Sequence, residues 1–201
     1  EIVEHKNYIG GRYSVLSEVG MLPAELMGLN EKKFKQFNYL INNKKFINNL
    51  INNAEGILYY VKKGKTNSII LNYDEDSQSL FYWYQQLVAE SLGKKSKGIF
   101  PIVSQMPKDN HSVMQLYLNG PRNNFFTFFD VYNQKSEKIN KLNLLDSHSY
   151  LKNKSINEII FAQRLATEKI FKTKKIPFRS FVVKKKNEQT LGELFCFFIL
   201  E

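Results

Sequence analysis

From Glu31 to Asn53 the apolar residues Phe34, Phe37, Leu40, Ile41, Phe46, Ile47, Leu50 and Ile51 recur at steps of three and four. That spacing predicts an amphipathic helix or helix pair, interrupted around Asn42-Asn43. Upstream, Gly10-Gly11 marks a turn, and a helix is expected to start near Ser14. Downstream the pattern changes to short apolar runs that alternate with helix-periodic stretches. Ser68 to Tyr73, Phe100 to Gln105, Asn124 to Tyr132 and Pro177 to Lys184 read as strands. Asp74 to Gly93, Asp109 to Asn119, Ser155 to Lys172 and the segment from Thr190, with Thr190 as its cap, read as helices. Strand then helix, repeated, with strands apolar on both faces, predicts an α/β fold. The expected architecture is a three-layer αβα sandwich with a mainly parallel, doubly wound sheet and right-handed connections.

Residues 133–154 are polar and irregular, and are expected to form a long surface loop. No short-period repeat is present. Residues 1–201 are expected to form one domain, in which 1–55 carry the glycine turn and the helices and 56–201 the α/β core. The helices of 1–55 are expected to pack on another domain or on a dimer mate. No element begins at Glu1, and the last helix has no closing glycine, proline or cationic turn. The chain therefore reads as a piece of a longer protein.

The composition narrows the function classes. A chain of 201 residues that is 43% hydrophobic is long enough to bury a core without staples. The single cysteine, Cys196, excludes a disulfide framework and a cysteine-built zinc site, and it fits a reducing cytosol. The longest apolar run, Leu194 to Leu200, is far shorter than a membrane span. The net charge of +10 raises nucleic acid as a partner, but 25 of the 29 basic residues are lysines, and 21 asparagines accompany them. That composition suggests drift toward AT-rich coding. Arginine, which planar phosphate recognition favours, is scarce. A solvated lysine surface, including Lys184-Lys185-Lys186, is the favoured reading, and no nucleic-acid partner is expected.

Three segments could carry chemistry. Ser79, Tyr82, Gln86 and Glu90 are spaced by three, four and four, so they share one helix face. An amide and a carboxylate on adjacent turns could bracket a polar ligand, and burial of Glu90 near a helix end would raise its basicity. The alternative is a solvated helix face. In Asp109-Asn110-His111-Ser112, Asp109 or Asn110 could cap a helix after a strand, with His111 in its first turn. A neutral imidazole there could take and return a proton, and ligands of open α/β sheets bind beyond the carboxyl ends of strands. The alternative is a solvent-bonded histidine. Gly10-Gly11-Arg12 combines a bare backbone with one of only four arginines, an anion ligand or else half of a structural salt bridge. No Walker or dinucleotide glycine pattern is present. His5 and His148 lie in irregular polar segments, and no metal-ligand cluster is apparent.

Together these segments resemble the glucose-6-phosphate isomerases whose two domains are sugar-isomerase (SIS) folds. Ile9-Gly10-Gly11-Arg12-Tyr13-Ser14-Val15 resembles the family's glycine-arginine signature, with Glu18 where a small residue or proline is usual. Trp83-Tyr84-Gln85-Gln86, continuing to Glu90-Ser91-Leu92-Gly93-Lys94, resembles the segment with the catalytic glutamate. Asp109-Asn110-His111-Ser112 resembles the segment with the ring-opening histidine, and Thr190-Leu191-Gly192-Glu193-Leu194 the start of a late helix. The likeness covers nearly the whole chain. It implies that the chain is the second SIS domain of an enzyme interconverting glucose 6-phosphate and fructose 6-phosphate through a cis-enediol(ate), without cofactor or metal. Glu90 would move the proton between C1 and C2, and Arg12 would stabilise the enediolate. His111 would open the ring, donated across a homodimer interface. Gln86 and Gly11 would bind substrate, and the enzyme would be cytoplasmic. The family's serine- and threonine-rich phosphate cradle and its terminal lysine signature have no counterpart here. The resemblance therefore implies weak or absent turnover by these residues alone, and a non-catalytic sugar-phosphate-binding SIS domain is the alternative.

Overall fold

The computed structural model describes residues 2–132, 136–139 and 144–201. The helices are α1 (Glu18–Leu26), α2 (Glu31–Phe34), α3 (Asn38–Ile41), α4 (Lys44–Lys62), α5 (Gln78–Leu92), α6 (Asp109–Ser112), α7 (Met114–Asn119), α8 (Ile156–Thr173) and α9 (Glu188–Leu200). The strands are β1 (Asn67–Asn72), β2 (Phe100–Gln105), β3 (Asn124–Val131) and β4 (Phe178–Val183). They form one sheet in the order β2-β1-β3-β4. β1 and β4 both run parallel to β3, with Asn67 opposite Asn124 and Phe126 opposite Phe178. The chain winds outward from β1 in both directions. This is the three-layer α/β class expected.

The pattern of burial refines that expectation. β3 is buried at every position, and β1 at all but its first residue. β2 and β4 are edge strands and stay partly open; Phe100 is 67% exposed. Two-sided apolar character therefore holds for the two inner strands alone. Part of the loop expected over 133–154 lies outside the described residues. The described part includes a 3-10 turn at Asp146–Leu151.

The chain divides into two compact units. The first comprises Glu1–Thr66, Leu80–Pro101 and Lys186–Glu201. Asparagines punctuate its helices. Asn30 accepts from Lys32 and Lys33 N–H to start α2, and Asn43 accepts from Lys45 and Phe46 N–H to start α4. The interruption expected at Asn42-Asn43 is thus an N-cap. The cap of α9 is Asn187, and Thr190 supplies the N–H it accepts, at 2.9 Å, which corrects the expectation that Thr190 caps this helix. Met21, Ala24 and Phe34 form a small core with Leu16, Leu191 and Phe195 against it. Trp83 meets Phe195 edge-on, with ring centroids 4.9 Å apart.

The second unit, Asn67–Ser79 with Ile102–Lys185, holds nearly all of the sheet. Its core is aromatic: Phe171 of α8 meets Phe126 and Phe128 of β3 edge-on, at 4.9 and 5.2 Å. A capping box of Ser155 and Glu158 starts α8. On its buried stripe Arg164 lies 3.2 Å from Asp130 of β3 without hydrogen-bond geometry, and also pairs with Glu168. Arg164 and Asp130 side chains are 3% and 6% exposed.

Candidate active site

In α5 the period of the sequence decides which side chains remain outside. Leu80, Phe81, Tyr84, Leu87 and Val88 are buried, while Ser79, Tyr82, Gln86 and Glu90 line the exposed face. Across one turn of that face the Gln86 amide donates to Glu90 Oε1 at 2.9 Å. The other carboxylate oxygen faces Arg12, whose Nη1 is 3.7 Å from Glu90 Oε2. This is ion-pair distance and longer than a hydrogen bond, so the carboxylate is oriented but not locked. The Glu90 side chain is 51% exposed and that of Arg12 23%. The burial invoked for Glu90 in the sequence is therefore absent. The same spacing that aligns Gln86 with Glu90 turns both away from the core.

Arg12 is held from several sides. It lies on a 3-10 helix, Gly11–Leu16, for which Gly10 is the N-cap. Its Nε–H donates to Ser91 Oγ at 2.8 Å, and its carbonyl accepts the Trp83 indole N–H at 3.1 Å. The guanidinium stands 4.9 Å from the Tyr13 ring centroid. The Tyr13 hydroxyl also lies 2.8 Å from Ser91 Oγ. The hydrogen bond between Tyr13 and Ser91 holds the Tyr13 phenol below its usual range; burial opposes the shift and Arg12 adds to it. Both readings of Arg12 thus meet in one geometry, because the salt bridge it forms is with the candidate base.

Among the described residues, apart from its chain neighbours and the backbone of its own helix, no atom comes within 4 Å of a Cβ placed on Gly11, so the backbone before Arg12 is bare. Glu18, the departure from the family signature, is the first residue of α1 after the Ser17 N-cap, where a carboxylate complements the helix terminus.

His111 belongs to the second unit. It is exposed and is the third residue of α6, which has only four. The helix expected over Asp109 to Asn119 breaks at Val113, with φ −127° and ψ −8°, and resumes as α7. So short a helix offers His111 no developed dipole. Neither expected residue caps it. Lys108 stands at the N-cap, and Asp109 Oδ2 instead accepts the Gln105 N–H at 2.8 Å, closing the end of β2. The strand-end argument also applies unequally. His111 follows β2 closely, whereas Glu90 lies about 18 Å along α5 from the end that follows β1.

A cavity of about 240 Å³ opens in the second unit beyond the carboxyl ends of β1 and β3, lined by Tyr73, Asp74, Glu75, Asp76, Asp130 and Tyr132 among others. Its carboxylates disfavour a phosphate dianion, and none of the candidate residues lines it. Among the described residues no group of three or more His, Cys, Asp or Glu side chains could hold a metal ion. No helix among them is long and apolar enough to cross a membrane.

Ser91, Tyr13 and Trp83 are the site residues that sequence reasoning missed. Each contacts a residue more than 70 positions away or a neighbour of one, and helical spacing carries no signal for that.

No protein-family model matches the chain. A probable glucose-6-phosphate isomerase of Methanococcus maripaludis is 31% identical over 220 aligned residues, covering 100% of this chain and 48% of that protein. The glucose-6-phosphate isomerase of Mycoplasmopsis pulmonis is 32% identical, covering 94% and 46%. Among solved structures, a hypothetical protein of Thermus thermophilus superposes with a TM-score of 0.82 at 22% identity, over 95% of this chain and 48% of that one. A glucose-6-phosphate isomerase of Chlamydia trachomatis superposes with a TM-score of 0.72 at 17% identity, over 98% and 42%. At those identities the superpositions establish the fold, and the sequence relatives establish the kinship. The chain is homologous along its whole length to glucose-6-phosphate isomerases and spans about half the length of the curated relatives it matches.

Proposed function

We propose that the chain is the second SIS domain of an aldose–ketose isomerase acting on glucose 6-phosphate and fructose 6-phosphate, with 56–201 as its α/β core. Glu90 is the base. It takes the proton from C2 of the open-chain aldose, leaving an enediolate; the O2 hydroxyl proton passes to O1, and Glu90 returns its proton to C1 to give the ketose. Carbon oxidation states exchange within the substrate, so the step needs no redox cofactor. Arg12 faces the negative charge that develops on the enediolate oxygen and stabilises it most in the transition state. Gln86 orients the Glu90 carboxylate and reaches toward the substrate. The open space at Gly11 admits the substrate beside Arg12. His111 opens the sugar ring and is donated by a second copy in a cytoplasmic homodimer.

One observation carries this reading: Arg12 and Glu90, far apart in the chain, meet at 3.7 Å on an exposed face. A base and a cation for the developing anion are what enediolate chemistry requires side by side.

The test is a coupled assay, with fructose 6-phosphate supplied and glucose 6-phosphate detected through its dehydrogenase. The 201-residue chain is expected to turn over slowly, and Glu90→Gln to remove that turnover. Turnover that survives Glu90→Gln refutes the assignment of the base. Binding of fructose 6-phosphate without turnover, unchanged in Glu90→Gln, refutes the isomerase and identifies a sugar-phosphate-binding domain.

A further inference from the structure

Arginine presents five N–H donors in a rigid planar fork, so the direction of the fork decides what it stabilises. In this chain the fork is anchored at one end. Arg12 Nε–H donates to Ser91 Oγ at 2.8 Å, and the Trp83 indole N–H holds the backbone end of the residue at 3.1 Å. Beyond the Nε anchor, Nη1 stands 3.7 Å from Glu90 Oε2. Glu90 and Ser91 are consecutive on the last turn of α5 and project about 100° apart around its axis. Arg12 spans that angle, with Nε on one residue and the Nη end toward the other.

We propose that Ser91 is a positioning residue for Arg12: its hydroxyl takes Nε and so commits the Nη groups to the space beside Glu90. Serine suits this task because its oxygen has two lone pairs and one proton. It accepts from Arg12 and still shares a hydrogen bond with Tyr13, 2.8 Å away. An arginine without this anchor would sample several rotamers and have to be ordered at the moment charge develops. An anchored one stabilises the charge without reorganising. The chemical consequence rests on the isomerase reading; the anchor itself does not.

Two readouts keep these claims apart. In the 201-residue chain with isotope-labelled arginine, NMR follows exchange of the Arg12 Nε proton with water, assigned through Arg12→Lys. Ser91→Ala is expected to quicken that exchange by about tenfold or more, the strength of a hydrogen bond to a charged group, and Ser91→Thr to restore it. Equal exchange in the parent and Ser91→Ala overturns the anchor, whatever the chain catalyses. In the coupled assay Ser91→Ala is expected to lower kcat about tenfold with KM held within about twofold, and Ser91→Thr to recover kcat. A change in KM alone, or a loss of kcat that threonine does not recover, overturns the positioning role. A parent chain without turnover agrees with the part-length chain expected from the sequence, and the exchange measurement then decides the role of Ser91.

Discussion

Gly192 offers the sharpest test of the packing in the first unit. It lies early in α9, and a Cβ added there would stand 1.9 Å from the Phe34 carbonyl oxygen and 2.8 Å from its carbon. Both obstacles are backbone atoms, which cannot swing aside as a side chain can. Moving the new atom out to an ordinary contact of 3.4 Å opens the seam between α2 and α9 by about 1.5 Å. Gaps of about 0.5–1 Å already forfeit a quarter to a half of the dispersion energy across them. The seam includes Phe34, packed with Leu191 and Phe195. Gly192→Ala is therefore placed at the top of the overpacking range, about 3 kcal/mol destabilising. Gly56, inside α4, is the control, since among the described residues nothing outside its own helix backbone and chain neighbours stands within 4 Å of its Cβ position. Alanine there gains roughly 0.5–1 kcal/mol from helix propensity. For a chain of this size 1 kcal/mol moves the melting midpoint by about 2–4 °C. Scanning calorimetry should show Gly192→Ala lower by about 6–12 °C and Gly56→Ala higher by about 1–4 °C. A Gly192→Ala midpoint within about 1 °C of the parent would refute the close approach of the two backbones.

The buried charges of the second unit give an asymmetric pair of variants. Arg164→Met leaves Asp130 and Glu168 without their cation and should cost about 3–5 kcal/mol in urea unfolding. Asp130→Asn leaves Arg164 paired with Glu168 and should cost far less; equal costs would contradict the geometry. Burial pushes the Asp130 carboxyl above its ordinary 3.8, and Arg164 offsets this only in part. A carboxyl that binds its proton more readily folded than unfolded favours the folded state most below 3.8, and that advantage is lost as pH rises through the raised value. The parent should thus lose stability relative to Asp130→Asn as pH rises above 3.8, and a constant difference would refute this. Ser155→Ala removes one half of the capping box of α8 and should cost about 1 kcal/mol in the same unfolding measurement.

The order of elements was legible because the determinants are local. Alternating runs such as Ser68 to Tyr73 and the three-and-four spacing of 74–93 depend on a few neighbouring residues. The helix ends were less legible, because asparagine competes with threonine for the cap and only the backbone path selects Asn187 over Thr190. The break at Val113 had no marker in the sequence. Asp109, the residue expected to begin a continuous helix there, bonds the end of β2 instead. Edge and centre could not be told apart either. Phe100 to Gln105 is as apolar as an inner strand, yet the crossover pattern places it at the margin of the sheet.

The candidate site divides along the same line. Gln86 and Glu90 are one helical turn apart, so their shared face and their hydrogen bond follow from spacing. Arg12 joins them only through the fold, and likeness to a family rather than any local pattern pointed to it. Spacing also carried a consequence that works against the expected burial. Residues that line up opposite Leu87 and Val88 must face water, and Glu90 does, at 51% exposure. General-base chemistry at carbon gains from excluding water, because electrostatic interactions strengthen as the local dielectric falls. The face of α5 that holds Glu90 does not exclude water by itself. Whatever covers that face, substrate or a second protein surface, has to supply the exclusion. The rate of the 201-residue chain should accordingly be limited by that covering rather than by the placement of Arg12 and Glu90, which the first unit already achieves.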